Sequence, residues 1–315
     1  RYGSMMQGFL DRRRVDTQRA IMANESVKCD GLLRSMLPRS IIVKLELGEA
    51  ITPERFDCVT VIFAEICHFG QISQRASAHE LVNLLNDVFS TFDGLIDRRN
   101  VHKVETVCQV YMAVAGCPKR TDTHAEDAGN LALDLIHCIE YLSGSLDMGA
   151  EGYSTDQGTR NPRGIPEAVF SEFPERRKRI NEFFAIVNSD REHAERLQIH
   201  VGINSGPIRA GVVGINNPRF KLFGDTVNTA SRMESTCEAG RIQASPSCVE
   251  LLRQSSTCTF DLEERGKIQV KGKGQMLTHY VRGCKARQEI PTISSLQAQP
   301  SGGERKEAGE GSSSS

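Results

Sequence analysis

Two runs of strand-forming residues, His102 to Val107 and Val110 to Ala115, are separated by only two residues, so the chain must reverse at once between them. A connection that short allows an antiparallel hairpin and excludes a parallel return, which needs a crossover of a dozen residues or more. The hairpin organises the pattern on either side of it. Cys58 to Ala64 (CVTVIFA), rich in β-branched and aromatic types, predicts a buried strand. His79 to Ile96 places Leu81, Leu84, Leu85, Val88, Phe92 and Leu95 on one face and predicts a helix. A second helix is expected over Thr123 to Leu142, and another strand over Ile199 to Asn204. Strand, helix, hairpin, helix, strand is the ferredoxin-like order. The expected fold is therefore α/β of the α+β kind, a mostly antiparallel sheet covered on one face by helices.

Outside this block the pattern changes. Residues 1–50 form an expected N-terminal linker, helical from Met5 to Leu47 and broken near its end by Pro38, either a dimerising coiled coil or an amphipathic helix packed on its own domain. Arg12, Arg13 and Arg14 suit a solvated helix face better than an anionic lipid surface. The domain proper is expected over 51–283, with a polar insertion at 143–196 that extends away from the core and carries a helix near its end. The tail, 284–315, turns to Ser, Gly, Glu and Gln and is expected to be disordered.

Composition limits the function classes. A net charge of −1 lacks the basic footprint of a nucleic-acid binder. The ten cysteines show neither a C-x-x-C pair nor a zinc-type spacing, no secretory signal opens the chain, and a reduced, cytoplasmic setting follows. No apolar run approaches the ~20 residues that span a bilayer. Because the chain begins at Arg1, it is also readable as the cytosolic portion of a membrane protein with an upstream sensor.

Three segments carry the chemistry: RFDCVTVIFAEICHFGQIS, the hairpin KVETVCQVYMAVAG, and NNPRFKLFGDTVNTASRMEST, followed by VKGKG at Val270 to Gly274. In this order they resemble the class III nucleotidyl cyclases, and most closely the guanylate cyclases, over Leu33 to Val281. The resemblance implies catalytic domains that dimerise head to tail. Each shared site takes metal ligands from one chain and substrate-orienting residues from the other. It also implies in-line attack of a ribose 3′ oxygen on the α-phosphate, giving a cyclic nucleotide and pyrophosphate.

The metal half departs from the family. Hard cations such as Mg2+ or Mn2+ want anionic oxygens at fixed positions. The family's first metal aspartate falls on Glu65, one methylene longer, and the second on Gln109, which lacks the charge. Cys108 stands at a usual glycine position. His68 and Gly70 stand where a glycine and a threonine are usual. The preferred reading is a strand-end carboxylate facing solvent at Glu65 and an ordinary turn residue at Gln109. The metal ions are then held mainly by a partner chain. Neither His200 nor His68 belongs to any ligand set visible in the sequence.

The complementary half is intact. Asn228 and Arg232, four residues apart, share one helix face. By resemblance Asn228 orients the ribose and Arg232 stabilises charge developing on the α-phosphate. The alternative is a polar face with Arg232 in a surface ion pair. Lys271 matches the lysine that contacts the terminal phosphates. Glu105, in KVET, matches the carboxylate that reads guanine, whose N1 and N2 are donors. Lys221 departs from the usual cysteine; it either donates to guanine O6 or closes the pocket by pairing with Glu105. Gly206, Gly211 and Gly214 fit no lysine-terminated phosphate loop and suit turn and close-packing roles in a strand pair from Ile203 to Val213.

The expected function is a guanylate cyclase subunit acting on GTP in a heterodimer whose second subunit carries both metal aspartates. This asymmetry resembles the β subunit of soluble guanylate cyclases and the heterodimeric rhodopsin-linked guanylate cyclases of fungi. The alternatives are a catalytically silent pseudo-cyclase that regulates an active partner, and a weak homodimeric enzyme.

Overall fold

The computed structural model describes residues 18–19, 21–26, 37–96, 99–144, 167–189, 195–214 and 218–286. Expectations for Arg12, Arg13 and Arg14, for 145–166 of the insertion and for the tail from 287 onward lie outside the described residues. Residues 18–19 and 21–26 are helical. The labelled elements then run α1 (Arg39–Glu46), β1 (Glu54–Ile66), α2 (Phe69–Ser73), α3 (Ala78–Ile96), β2 (Val101–Val107), β3 (Val110–Ala115), α4 (His124–Leu142) and α5 (Glu167–Val187). The second half is β4 (Ile199–Val213), β5 (Arg219–Phe223), α6 (Asp225–Ser235), β6 (Ile242–Ala244), α7 (Pro246–Arg253), β7 (Cys258–Val270) and β8 (Gly274–Ala286).

The strands form one eight-stranded sheet in the order β2-β3-β1-β4-β6-β8-β7, with β5 paired to β4. Every pairing is antiparallel except β4 with β6. The hairpin is present, with Val107 opposite Val110. Local chemistry starts the helices where it should: Ser77 and Glu80 exchange a backbone N–H and a side-chain contact ahead of α3, a capping box. Ser245 caps α7 by accepting from the Cys248 N–H, with Pro246 in the first turn.

One face of the sheet buries α3, α4, α5 and α7 against Ile62, Ala64, Ile66, Tyr111, Val201 and Ile203. The opposite face is also covered. There Phe56, Val59, Val61, Met112 and Val114 pack with Ile42 of α1, Ala230 of α6, and Phe220 and Leu222 of β5. This corrects the expectation of helices on one face only. The reason is visible in β1, whose CVTVIFA run is apolar at both parities rather than alternating, as a strand buried on both sides must be.

Two further expectations are corrected. Ile199 to Val213 is one continuous strand and not a strand followed by a pair. It tolerates Pro207 because the register with β1 slips there, between the Phe56 and Val59 pairings, so no ladder hydrogen bond is lost to the missing N–H. The insertion helix α5 joins the core and does not extend away from it. Ile180, Phe183, Phe184 and Val187 are buried, and Arg179 and Arg176 bond to Asp87 (2.9 Å) and Thr91 (2.7 Å) of α3. Among the described residues no helix is long and apolar enough to cross a membrane.

Candidate active site

The face of the sheet that carries α6 gathers the residues singled out by sequence. Glu105 of β2 lies opposite Met112, on that face. Lys221 of β5 is opposite Gly211 of β4, and an edge contact between His102 and Phe220 (5.8 Å between ring centroids) draws β5 over β2. The Lys221 ammonium consequently donates to the Glu105 carboxylate. Of the two roles open to Lys221, the pairing is the one adopted here. Both side chains keep partial solvent access, 34% and 21%.

β5 leads through Gly224 into α6. Thr226 donates to the Pro207 carbonyl (2.6 Å), and the Asn204 amide donates to the Thr226 carbonyl (2.9 Å), which pins the helix start to β4. Thr226, Thr229, Ala230, Met233 and Glu234 are buried, a face at helical spacing. What remains outward is Asn228, exposed, and Arg232, half-buried one turn later. The β7–β8 turn closes on the same helix. Lys273 pairs with Asp225, and a β-carbon placed on Gly272 would sit 3.6 Å from Arg232 Nη1. Lys271 is exposed in that turn. Among the described residues neither Arg232 nor Lys271 has a carboxylate partner, so the surface ion pair considered for Arg232 is not formed.

At the far end of β1 the arrangement is different. Glu65 pairs in register with His200 of β4 and Val110 of β3, which brings Gln109 alongside. The Gln109 Nε2 donates to Glu65 Oε1 at 2.8 Å. His200 Nε2 lies 2.6 Å from Glu234 Oε1 and 3.6 Å from Glu65 Oε2, and its Nδ1 is 3.2 Å from Cys67 Sγ. Glu234 reaches this point because Gly202 lets α6 approach β4; a β-carbon there would fall 2.0 Å from the Glu234 nitrogen.

The charges are strongly coupled. The neighbouring His200 imidazole, with a lesser contribution from the Gln109 hydrogen bond, holds the Glu65 carboxyl down at about 2, against the opposing effect of burial. Burial disfavours the charged imidazole of His200, but Cys67, Glu234 and Glu65 outweigh it and push it up to about 12. Burial pushes Glu234 up to about 7, with Glu65 adding to the rise. Glu234 is the carboxylate nearer to His200, yet it is the one that tends toward protonation. Its side chain is only 4% exposed against 26% for Glu65, so desolvation decides which acid of the pair stays ionised.

This corrects two expectations. Glu65 is engaged by Gln109 and faces His200 while keeping 26% exposure, rather than standing free in solvent, and Gln109 is bound to it and is not an idle turn residue. His200 does belong to a constellation, one that only the β1–β4 register and the Gly202 contact reveal. The only non-glycine residues with positive φ among the described residues, His68 (55°) and Cys108 (51°), flank the same end of β1, a conformation that favours glycine. A pair of hard divalent ions needs several uncommitted anionic oxygens. Here one carboxylate is committed to His200, and Gln109 turns an N–H toward it, so Glu65 and Gln109 do not fit a two-magnesium centre.

Comparison with known proteins follows the same residues. The family model described as Adenylate and Guanylate cyclase catalytic domain matches residues 51–283. Receptor-type guanylate cyclase gcy-13 of Caenorhabditis elegans is 34% identical over 265 residues, 84% of this chain and 21% of that protein. Retinal guanylyl cyclase 2 of Homo sapiens is 36% identical over 262 residues, 83% and 20% respectively. The chain thus spans about a fifth of the length of these curated relatives. The guanylate cyclase domain of RhGC from Catenaria anguillulae, solved in complex with GTP, superposes with a TM-score of 0.54 at 32% identity, covering 74% of this chain and all of that one.

Proposed function

The chain belongs to the adenylate and guanylate cyclase catalytic domain family, and on that premise we propose that it is one subunit of a heterodimeric guanylate cyclase. It contributes the substrate-orienting half of a shared site, and a second cyclase subunit contributes the metal carboxylates. The observation that carries this reading is the contrast between its two halves: Asn228, Arg232 and Lys271 are uncommitted among the described residues, whereas Glu65 is already consumed by Gln109 and His200.

In this reading GTP enters with Glu105 accepting from guanine N1 and N2 and Lys221 swinging from Glu105 to O6. Asn228 holds the ribose. The 3′ hydroxyl gives up its proton to solvent, its oxygen forms the bond to the α-phosphorus as the bond to the departing pyrophosphate breaks, and Arg232 meets the charge that develops there with a preorganised guanidinium. Lys271 neutralises the terminal phosphates. Carboxylates of the partner subunit would hold Mg2+ or Mn2+, which would supply the remaining charge neutralisation. Residues 51–283 form the working domain, extended to Ala286 because β8 runs through positions where a tail was expected from 284, and 1–50 form the linker to an upstream sensor. The whole sits on the cytosolic side of a longer, membrane-attached parent.

A second reading, a silent pseudo-cyclase that regulates its partner, is favoured by the Lys221–Glu105 pair, which closes the base pocket. Incubation with GTP and Mg2+ or Mn2+ separates the two. The chain alone should make little cyclic GMP. Added to a guanylate cyclase domain with both metal aspartates, it should raise turnover in proportion to heterodimer formed; a mixture no faster than its components would favour the silent reading.

A further inference from the structure

We propose that Glu65, His200 and Glu234 form a binding site for one borderline transition ion of the zinc type. Their ligand atoms, from β1, β4 and α6, lie within 4.8 Å of one another. Bonds of about 2.0–2.2 Å in tetrahedral geometry place ligand atoms roughly 3.3 Å apart. The observed 2.6 Å and 3.6 Å separations from His200 Nε2 bracket that value. One imidazole nitrogen and two carboxylates suit zinc and its neighbours, whereas magnesium demands an octahedron of oxygens.

The surroundings are those of a metal-binding histidine. Such a ring is held by a partner at its other nitrogen, and here Cys67 Sγ lies 3.2 Å from Nδ1. Glu234 is buried, while Glu65 and His200 keep 26% and 18% exposure, which leaves an entry path and a fourth position for water. A dication replaces the proton on Nε2 and the proton carried by Glu234 where that acid is protonated, and both pass to solvent. An ion held there ties the helix bearing Asn228 and Arg232 to the end of β1. The inference does not depend on cyclase activity.

The test uses the full chain with Zn2+ alone. After equilibration and desalting, one zinc per chain is expected, with a higher melting temperature than the chelated protein. His200→Gln and Glu234→Gln should each abolish uptake, and Cys67→Ala should weaken it about 10–100-fold. Glu105→Gln should leave it unchanged. Retention of zinc by the His200→Gln protein, through exposed Cys58 or Cys108 for example, would overturn the proposal. Should that variant not fold, Co2+ in the unaltered chain decides: intense tetrahedral visible absorption supports the site, and a weak octahedral spectrum or none refutes it.

Discussion

Replacing Arg232 by alanine separates a catalytic guanidinium from a structural one. The side chain is half-buried, has no ion-pair partner among the described residues, and meets the β7–β8 turn at Gly272 without burying a core. A substitution away from core, cap and ion pair changes stability by about 0.5 kcal/mol or less, which for a domain of this size is a shift of roughly 1–2 °C in Tm. Loss of a preorganised donor aimed at developing charge costs about 10²–10³-fold in turnover, roughly 2.7–4 kcal/mol. The assay is cyclic GMP formation by the mixed heterodimer at saturating GTP, run beside thermal melting of the isolated variant. The expected result is a large fall in turnover with an almost unmoved melting curve. A variant that melts many degrees lower in step with its lost activity, or one that turns over normally, would refute the assignment.

Three other outcomes are expected. Gly202→Ala must displace α6, since its β-carbon would lie 2.0 Å from the Glu234 nitrogen and 2.5 Å from its Cα; denaturant titration should show a loss of about 1–3 kcal/mol or more, and a neutral result would contradict the close approach. Glu105→Lys combined with Lys221→Asp should shift the mixed enzyme toward ATP, and an unchanged GTP preference would remove both residues from base reading. Because the Glu65 carboxyl is depressed in the folded state, its contribution to stability is fully present above about pH 4.5 and is lost as pH falls toward about 2. Glu65→Gln should flatten the acid limb of a stability–pH profile across that window, and an identical slope would show that the carboxylate is not held by His200.

Much of the fold was legible because its signals are local. The two-residue hairpin and the helical stripe of α3 each depend on neighbours in sequence, and each is where the spacing predicts. The docking of α5 was legible in principle too: Ile180, Phe183, Phe184 and Val187 follow the i, i+3, i+4, i+7 spacing of a buried helical face, obscured by the charge run Glu175 to Arg179 beside it. The second covered face was written in the unbroken apolar run of β1, which the single-face expectation passed over. In the site, Asn228 and Arg232 were singled out by the resemblance of their segment to the cyclases, and four residues along a helix puts them on one face. The Glu65–His200–Glu234 cluster was not, because it joins residues 135 and 34 positions apart through a strand register and one glycine contact. Nor did sequence decide between the roles of Lys221, since a pair across β2 and β5 depends on how the β4–β5 hairpin curls over the sheet.

The central claim, that this chain lends the substrate-orienting half of a site whose metal half lies on another subunit, is tested most directly by complementation. A guanylate cyclase domain keeping both metal aspartates, but with its own counterparts of Asn228 and Arg232 replaced, is inactive alone and is mixed with this chain. The account predicts cyclic GMP from the mixture and little or none from either component. A silent mixture with demonstrated heterodimer, or equal synthesis by this chain in isolation, would contradict it.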